Sequence, residues 1–309
     1  MKFQFTKHAR IFLAISIVLI IVGLGFLFTK GLNYGIDFQG GTIVNIELGR
    51  QFTTEEIRTI TDKYDKNAVI TYGGEQKTQV IISTKLDLAD EVRKAMFADF
   101  QSAYQLEEGA LLSIDKVSPA VGGEMAKQSV LATIFVVICM LIYITFRFEF
   151  WFGVAAILSL LHDVLIMIGV YAILQIEVNT PFIAAVLTVL GYSINDTIVV
   201  FDRIRENRKS YGRYDYVTLV DDSITQTLRR SINTTLTTLI AITTLYIFGV
   251  ADIRDFALPL IVGFVGGAYS SIFIASPLWY KLQERADKRK RDKTDKRPGK
   301  KTGYKKQKA

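Results

Sequence analysis

Gly191 to Asn207 reads GYSINDTIVVFDRIREN, and this stretch decides what kind of protein the chain makes. It starts inside an apolar run that opens at Phe182 and leaves that run at Asp202, so Asn195 and Asp196 fall within a helix otherwise fit to span a bilayer. A charged Asp at the centre of a membrane helix costs about 2.5 to 3.5 kcal/mol on insertion scales, so such groups face a protein interior or water and often mark ion pathways. At helical spacing Thr188, Tyr192, Asn195/Asp196 and Arg203 line one polar stripe on an apolar cylinder. That stripe requires a counterpart within the membrane. The plainer alternative is that Asp196 only hydrogen-bonds a neighbouring helix as structural glue.

Outward from this stretch, the chain repeats the apolar theme. Ile11 to Phe28 follows Lys2, Lys7 and Arg10; it is long for a signal sequence and has no small-x-small cleavage site, so it reads as a retained first span. Val130 to Phe146, Phe152 to Leu174, Phe182 to Phe201, Thr234 to Val250 and Phe256 to Trp279 give five more. The short connections near the N-terminus and between Asp202 and Asn233 hold most of the loop Lys and Arg, which predicts cytoplasmic termini in the plasma membrane. Trp151 and Trp279 then fall at cytoplasmic ends, where tryptophans serve as interfacial anchors.

Residues 31–128 form a polar insert, predicted to be outside the membrane. Its alternation reads strand (Thr42 to Leu48), helix (Thr54 to Tyr64), strand (Ala68 to Tyr72), strand (Thr78 to Ser83), helix (Leu88 to Tyr104) and strand (Leu111 to Val117). That βαββαβ order predicts a ferredoxin-like domain. Thr53/Thr54 and Asp87 are its expected helix caps. Gly31, Gly35, Gly122 and Gly123 are expected to let the domain hinge. The predicted organisation is a first span (1–30), this domain (31–128), a five-helix membrane bundle (129–280) and a disordered basic tail (281–309).

The net charge of +7 belongs to that tail, which holds 14 Lys/Arg against four Asp/Glu. It suits anionic lipid or ribosomal RNA rather than a folded binding face. One cysteine, Cys139, rules out a disulfide framework and reads as a small core residue. Neither histidine has the neighbours of a metal or nucleophile site, and there is no P-loop or dinucleotide fingerprint, so no cofactor, metal or enzymatic activity is expected.

Two further features converge on the membrane interior. On the fifth span Arg230, Asn233/Thr234, Thr237, Ala241 and Thr244 follow helical spacing. Their stripe can meet that of the fourth, letting Asp196 attract Arg230 when charged and release it when protonated; otherwise Arg230 snorkels to lipid phosphate. His162-Asp163 places a second polar pair about halfway across the third span, either as part of a proton path or as a buried hydrogen-bonded pair. In the last span Gly263, Gly267, Ser271 and Ala275 form a small-residue ridge suited to close helix approach.

FTKGLNYGIDFQGGT (Phe28 to Thr42), VGGE (Val121 to Glu124), LHDV (Leu161 to Val164), the stretch quoted first and SITQTLRRS (Ser223 to Ser231) together resemble the SecF family of bacterial SecDF protein-export factors, within the RND superfamily. The resemblance implies a subunit that works with SecD, using the proton motive force to help the Sec channel and its ATPase export polypeptides. The family's intramembrane acid and its arginine on the next helix match Asp196 and Arg230; Tyr192, Asn195 and Thr234 are the expected supporting polar groups. Competing readings are an RND-type exporter of small molecules or lipids and a non-transporting translocase scaffold.

Overall fold

The computed structural model of the chain describes residues 4–74, 76–212 and 215–295. Six helices are long and apolar enough to cross a membrane. The first five are α1 (Phe5–Lys30), α5 (Pro119–Arg147), α6 (Phe150–Leu174), α7 (Thr180–Asn207) and α8 (Tyr216–Phe248). The sixth is built from α9 (Ala251–Ser270), a π-helical turn (Ser271–Ala275) and α10 (Ser276–Asp295). The local sequence marks where several begin. Ser118 caps α5 by accepting from the Val121 N–H and Asn179 caps α7 by accepting from that of Phe182, each followed by a proline at the start of the helix. Asp215 caps α8 in the same way.

Between α1 and α5 stand β1 (Asn33–Tyr34), α2 (Ile36–Gln39), β2 (Gly41–Glu47), α3 (Thr54–Thr61), β3 (Val69–Gly73), β4 (Gln79–Thr84), α4 (Asp90–Tyr104) and β5 (Leu111–Val117). Strands β2 to β5 form one antiparallel sheet in the order β3-β4-β2-β5, with Val44 opposite Ile82 on one side and Ile114 on the other. Val44, Ile46, Val80 and Ile82 pack with Ile57 and Ile60 of α3 and Met96 and Phe100 of α4, so both helices cover one face. Thr53 caps α3 as expected, but Asp87 pairs with Lys116 and α4 begins after Ala89 without a side-chain cap.

This domain is narrower than 31–128. Helix α5 starts at Pro119, and residues 31–40 belong to the membrane bundle: β1 pairs in parallel with β6 (Glu177–Val178), which joins α6 to α7, and Phe38 is buried in the bundle core. Two of the four glycines expected to act as hinges, Gly35 and Gly122, make close contacts instead, while a Cβ on Gly31 or Gly123 would meet nothing within 4 Å. A Cβ on Gly35 would sit 3.3 Å from Val178 O, and one on Gly122 2.7 Å from Phe38 O. Gly40 and Gly41 have φ of +83° and +150°, and a Cβ on Gly41 would lie 2.2 Å from Thr84 O. Only glycine fits such a place.

Helices α6, α7 and α9 form the centre of the bundle. A Cβ on Gly263 would lie 2.2 Å from Val189 Cγ2 and one on Gly267 3.0 Å from Ser193 Cβ, so the predicted small-residue ridge is the seam between α9 and α7. A second seam was not anticipated: Gly23 of α1 and Gly169 of α6 meet backbone to backbone, with a Cβ on Gly23 placed 2.7 Å from Gly169 Cα. Trp279 is not an interfacial anchor. It is fully buried and stacked on Phe152 at 4.4 Å, because two large rings gain more from each other than from the headgroup boundary. Cys139 is exposed on α5 rather than in the core. The expected disorder does not begin at Lys281, since helix continues to Asp295; Gln283 is buried and Asp287 accepts from the Tyr216 hydroxyl. Residues 296–309 of the predicted tail lie outside the described residues.

Candidate functional site

Two polar centres occupy the bundle, and they differ in how completely they are enclosed. The first is built on Asp163 of α6, which is 1% exposed. Its Oδ2 accepts from Ser193 Oγ of α7 at 2.6 Å and Ser270 Oγ of α9 at 2.9 Å, and its Oδ1 lies 3.0 Å from His162 Nδ1. One carboxylate thereby ties three helices together. The imidazole stacks against Tyr269 at 6.0 Å, while its Nε2 is buried without a partner among the described residues. Tyr269 in turn donates to Phe12 O of α1 at 2.7 Å.

The second centre is Asp196, two turns further along α7 than Val189. It is only half-buried. Asp196 Oδ1 accepts from Ser231 Oγ of α8 at 2.6 Å, whereas Oδ2 is buried without a hydrogen-bond partner among the described residues; the Ser271 hydroxyl and the Arg230 charge lie nearby. Ser271 belongs to the π-helical turn and bonds Thr197 Oγ1 at 2.8 Å, which links the turn to α7. Such turns interrupt the regular ladder and are common at functional sites.

No ion pair joins Asp196 to Arg230 among the described residues, and Ser231, the next residue, bonds the carboxylate directly. Adjacent positions on a helix point about 100° apart, so α8 can offer Asp196 the serine or the arginine, and it offers the serine. Arg230, Asn233, Thr234 and Thr237 all lie on the exposed side of α8, and Thr188, Gly191 and Asn195 on the exposed side of α7. Tyr192 stays between the two helices, its hydroxyl 3.3 Å from Thr238 Oγ1 and its ring against Phe264. Thr234, Thr237 and Thr244 donate to carbonyls of their own helix, which satisfies their hydroxyls on this exposed face. Half of the apolar stretch of α7 is buried but only 11% of that of α8, so this polar face is uncovered by the described residues of the chain itself.

The serines at both centres had no distinguishing mark in the sequence. The spacing of Ser193 and Thr197 within the quoted stretch, and the Ser270-Ser271 pair in an apolar run, were the available signals. No group of three His, Cys, Asp or Glu side chains at metal-holding distance occurs among the described residues.

Comparison with known proteins gives these features a family. The SecD/SecF C-terminal family of protein export membrane proteins matches residues 97–285, and the SecD/SecF GG motif matches 25–51, where Gly40 and Gly41 meet their close contacts. The SecF protein translocase subunit of Sebaldella termitidis is 40% identical over 306 residues, covering 96% of this chain and 97% of that protein. That of Dictyoglomus turgidum is 39% identical, covering 89% and 96%. A crystal structure of SecDF, a translocon-associated membrane protein from Thermus thermophilus, superposes with a TM-score of 0.79 at 39% identity, over 92% of this chain. This chain spans 39% of the length of that SecDF chain. With identity at this level along nearly the whole sequence, the chain belongs to the SecF family of protein translocase subunits.

Proposed function

We propose that this protein is a subunit of the Sec protein translocase that, joined to a SecD-like partner, couples the proton motive force to export of polypeptides across the plasma membrane. The observation that carries the coupling is the contrast between the two carboxylates. Asp163 is saturated with donors and sealed, which suits a fixed structural charge. Asp196 has one hydrogen bond, one unshared oxygen and a place at the edge of an uncovered polar face, which suits a group that gains and loses a proton.

The same face supports the partner. A row of Arg230, Asn233, Asn195 and threonines on α7 and α8 is expensive against lipid, and an unpaired arginine there calls for an acid on the partner's helices. A SecDF chain in which a SecF-like part covers only 38% of the length gives that partner a precedent in a relative. In this reading the outer domain has the ferredoxin-like arrangement, both termini are cytoplasmic, and the domain contacts the exported polypeptide or the partner while the Sec channel and ATPase act alongside. The His162-Asp163 pair then holds the bundle rather than carrying the proton.

The test is export into inverted membrane vesicles containing the chain and its SecD-like partner. Asp196→Asn keeps size and hydrogen bonding but cannot titrate, so it should preserve assembly and abolish the dependence of export on the proton gradient. Arg230→Met should impair the same step. Export by Asp196→Asn vesicles at the parental rate, still sensitive to an uncoupler, would show that Asp196 is not the carrier.

A further inference from the structure

Arg10 stands where two concavities on the surface of α1 meet. On one side is a charged recess of about 550 Å³ lined by Lys7, Arg10, Lys281 and Tyr280, together with Asp221 and Asp222. On the other is an apolar trough running along α1 from Ile11 to Leu19. The trough has a sequence cause. Lys7, Ile11, Ile15 and Leu19 form one four-residue ridge of the helix, and Arg10, Ala14 and Val18 form the next. Ala14 cuts the second ridge down between its larger neighbours, and the depression continues into the recess at Arg10.

The charges in the recess are unequally committed. Asp221 is engaged by α1 itself, accepting from the Thr6 N–H at 2.8 Å and the Thr6 hydroxyl at 2.9 Å. Asp222 accepts from the Tyr211 hydroxyl at 2.6 Å. Lys7, Arg10 and Lys281 take part in no ion pair among the described residues, and Lys7 and Arg10 are exposed. Three cations thus stand against two carboxylates that neighbouring hydroxyls already engage, an excess of one positive charge at the start of a membrane-spanning helix.

We propose that the recess and trough form a binding site for one anionic phospholipid, with its phosphate among Lys7, Arg10 and Lys281 and an acyl chain along Ala14. The dimensions favour a lipid over a free anion. From Arg10 to Leu19 the helix rises roughly 14 Å, about half of a ~30 Å hydrocarbon core, so the trough is one leaflet long. A soluble phosphate would use the recess and leave the trough without purpose. Basic residues at the start of a membrane helix attract anionic headgroups. The site is built on the folded bundle.

The test is lipid binding to the full chain in detergent, read by native mass spectrometry with phosphatidylglycerol, phosphatidylcholine and glycerol 3-phosphate as probes. The chain should retain one phosphatidylglycerol at least tenfold more tightly than phosphatidylcholine. Joint replacement Lys7→Gln, Arg10→Gln and Lys281→Gln should erase that preference. Ala14→Leu, on an exposed helix face where folding is not at stake, should weaken phosphatidylglycerol about tenfold and leave glycerol 3-phosphate unchanged. Equal retention of the two lipids would overturn the site. Glycerol 3-phosphate binding as tightly as phosphatidylglycerol, with Ala14→Leu silent, would show a free-anion site and overturn the lipid assignment.

Discussion

Replacing Asp163 with leucine tests whether the sealed carboxylate holds the bundle. The substitution is close in size, so its cost comes from the donors it strands. Ser193 Oγ and His162 Nδ1 lose the acceptor each now uses, while Ser270 Oγ keeps a second one, Gly267 O at 3.1 Å. A buried donor left without a partner costs about 1 to 3 kcal/mol, so Asp163→Leu should destabilise the protein by about 2 to 6 kcal/mol. At Asp196 the same change strands only Ser231, at a half-buried position, for about 1 to 3 kcal/mol. Thermal unfolding in detergent, followed by loss of the monodisperse species, should therefore rank Asp163→Leu well below Asp196→Leu.

The cause can be separated from the volume change. Removing both sides of a buried polar contact is often nearly neutral, so adding Ser193→Ala to Asp163→Leu should return a large part of the loss. Asp163→Asn should be mild, because an amide can keep its oxygen toward the serines and donate its N–H to His162 Nδ1 once the imidazole carries its proton on Nε2. If Asp163→Leu melts with or above Asp196→Leu, or if removing Ser193 restores nothing, the three bonds at Asp163 do not fasten the bundle.

Glu177, in the short strand between α6 and α7, is pushed above the usual carboxylate value of 4.5 by burial, with Asp37 adding to the shift and Lys85 opposing it. The folded state thus binds its proton more readily than the unfolded chain, so stability falls as pH rises through the interval above 4.5. Glu177→Gln should raise the melting temperature at pH 7 and lose that advantage below pH about 4, a difference read from paired melting curves. Gly41→Ala places a methyl group against Thr84 O and Lys85 Cα. Overpacking of about 1 to 3 kcal/mol should speed hydrogen exchange in β2 and β4 while leaving the bundle helices protected.

The spans were legible because length and apolarity leave a long helix few alternatives, and Asp196 because a carboxylate is costly in that setting. The outer strands followed their alternation to within a residue or two. What escaped were choices between equivalent local options. Arg230 and Ser231 are neighbours, and only the rotation of α8 decides which meets Asp196. Trp279 has the chemistry of an interfacial residue and is buried because Phe152 and Tyr216 surround it. The π-helical turn has no compositional signature, and Gly35 and Gly122, which suggest freedom, are sites of backbone contact. His162-Asp163 was visible as an anomaly, but its serine partners on two other helices were not, since serine is unremarkable in membrane helices.

The attachment of the outer domain has a kinematic consequence. Beyond the two chain connections, at Gly40 and Ser118, the sheet domain meets the bundle at Lys85, whose Nζ donates to Asn33 Oδ1 at 2.6 Å, and at β3, which lies beside α9. Contacts at separate places along the base couple the domain's orientation to the helices beneath it. To swing over a stationary bundle the domain would have to give up the Lys85 bond and part β3 from α9. A change of tilt in α9 should therefore be magnified at the far rim of the sheet, so that a distance probe on α3 or α4 reports the membrane helices as well as the domain itself.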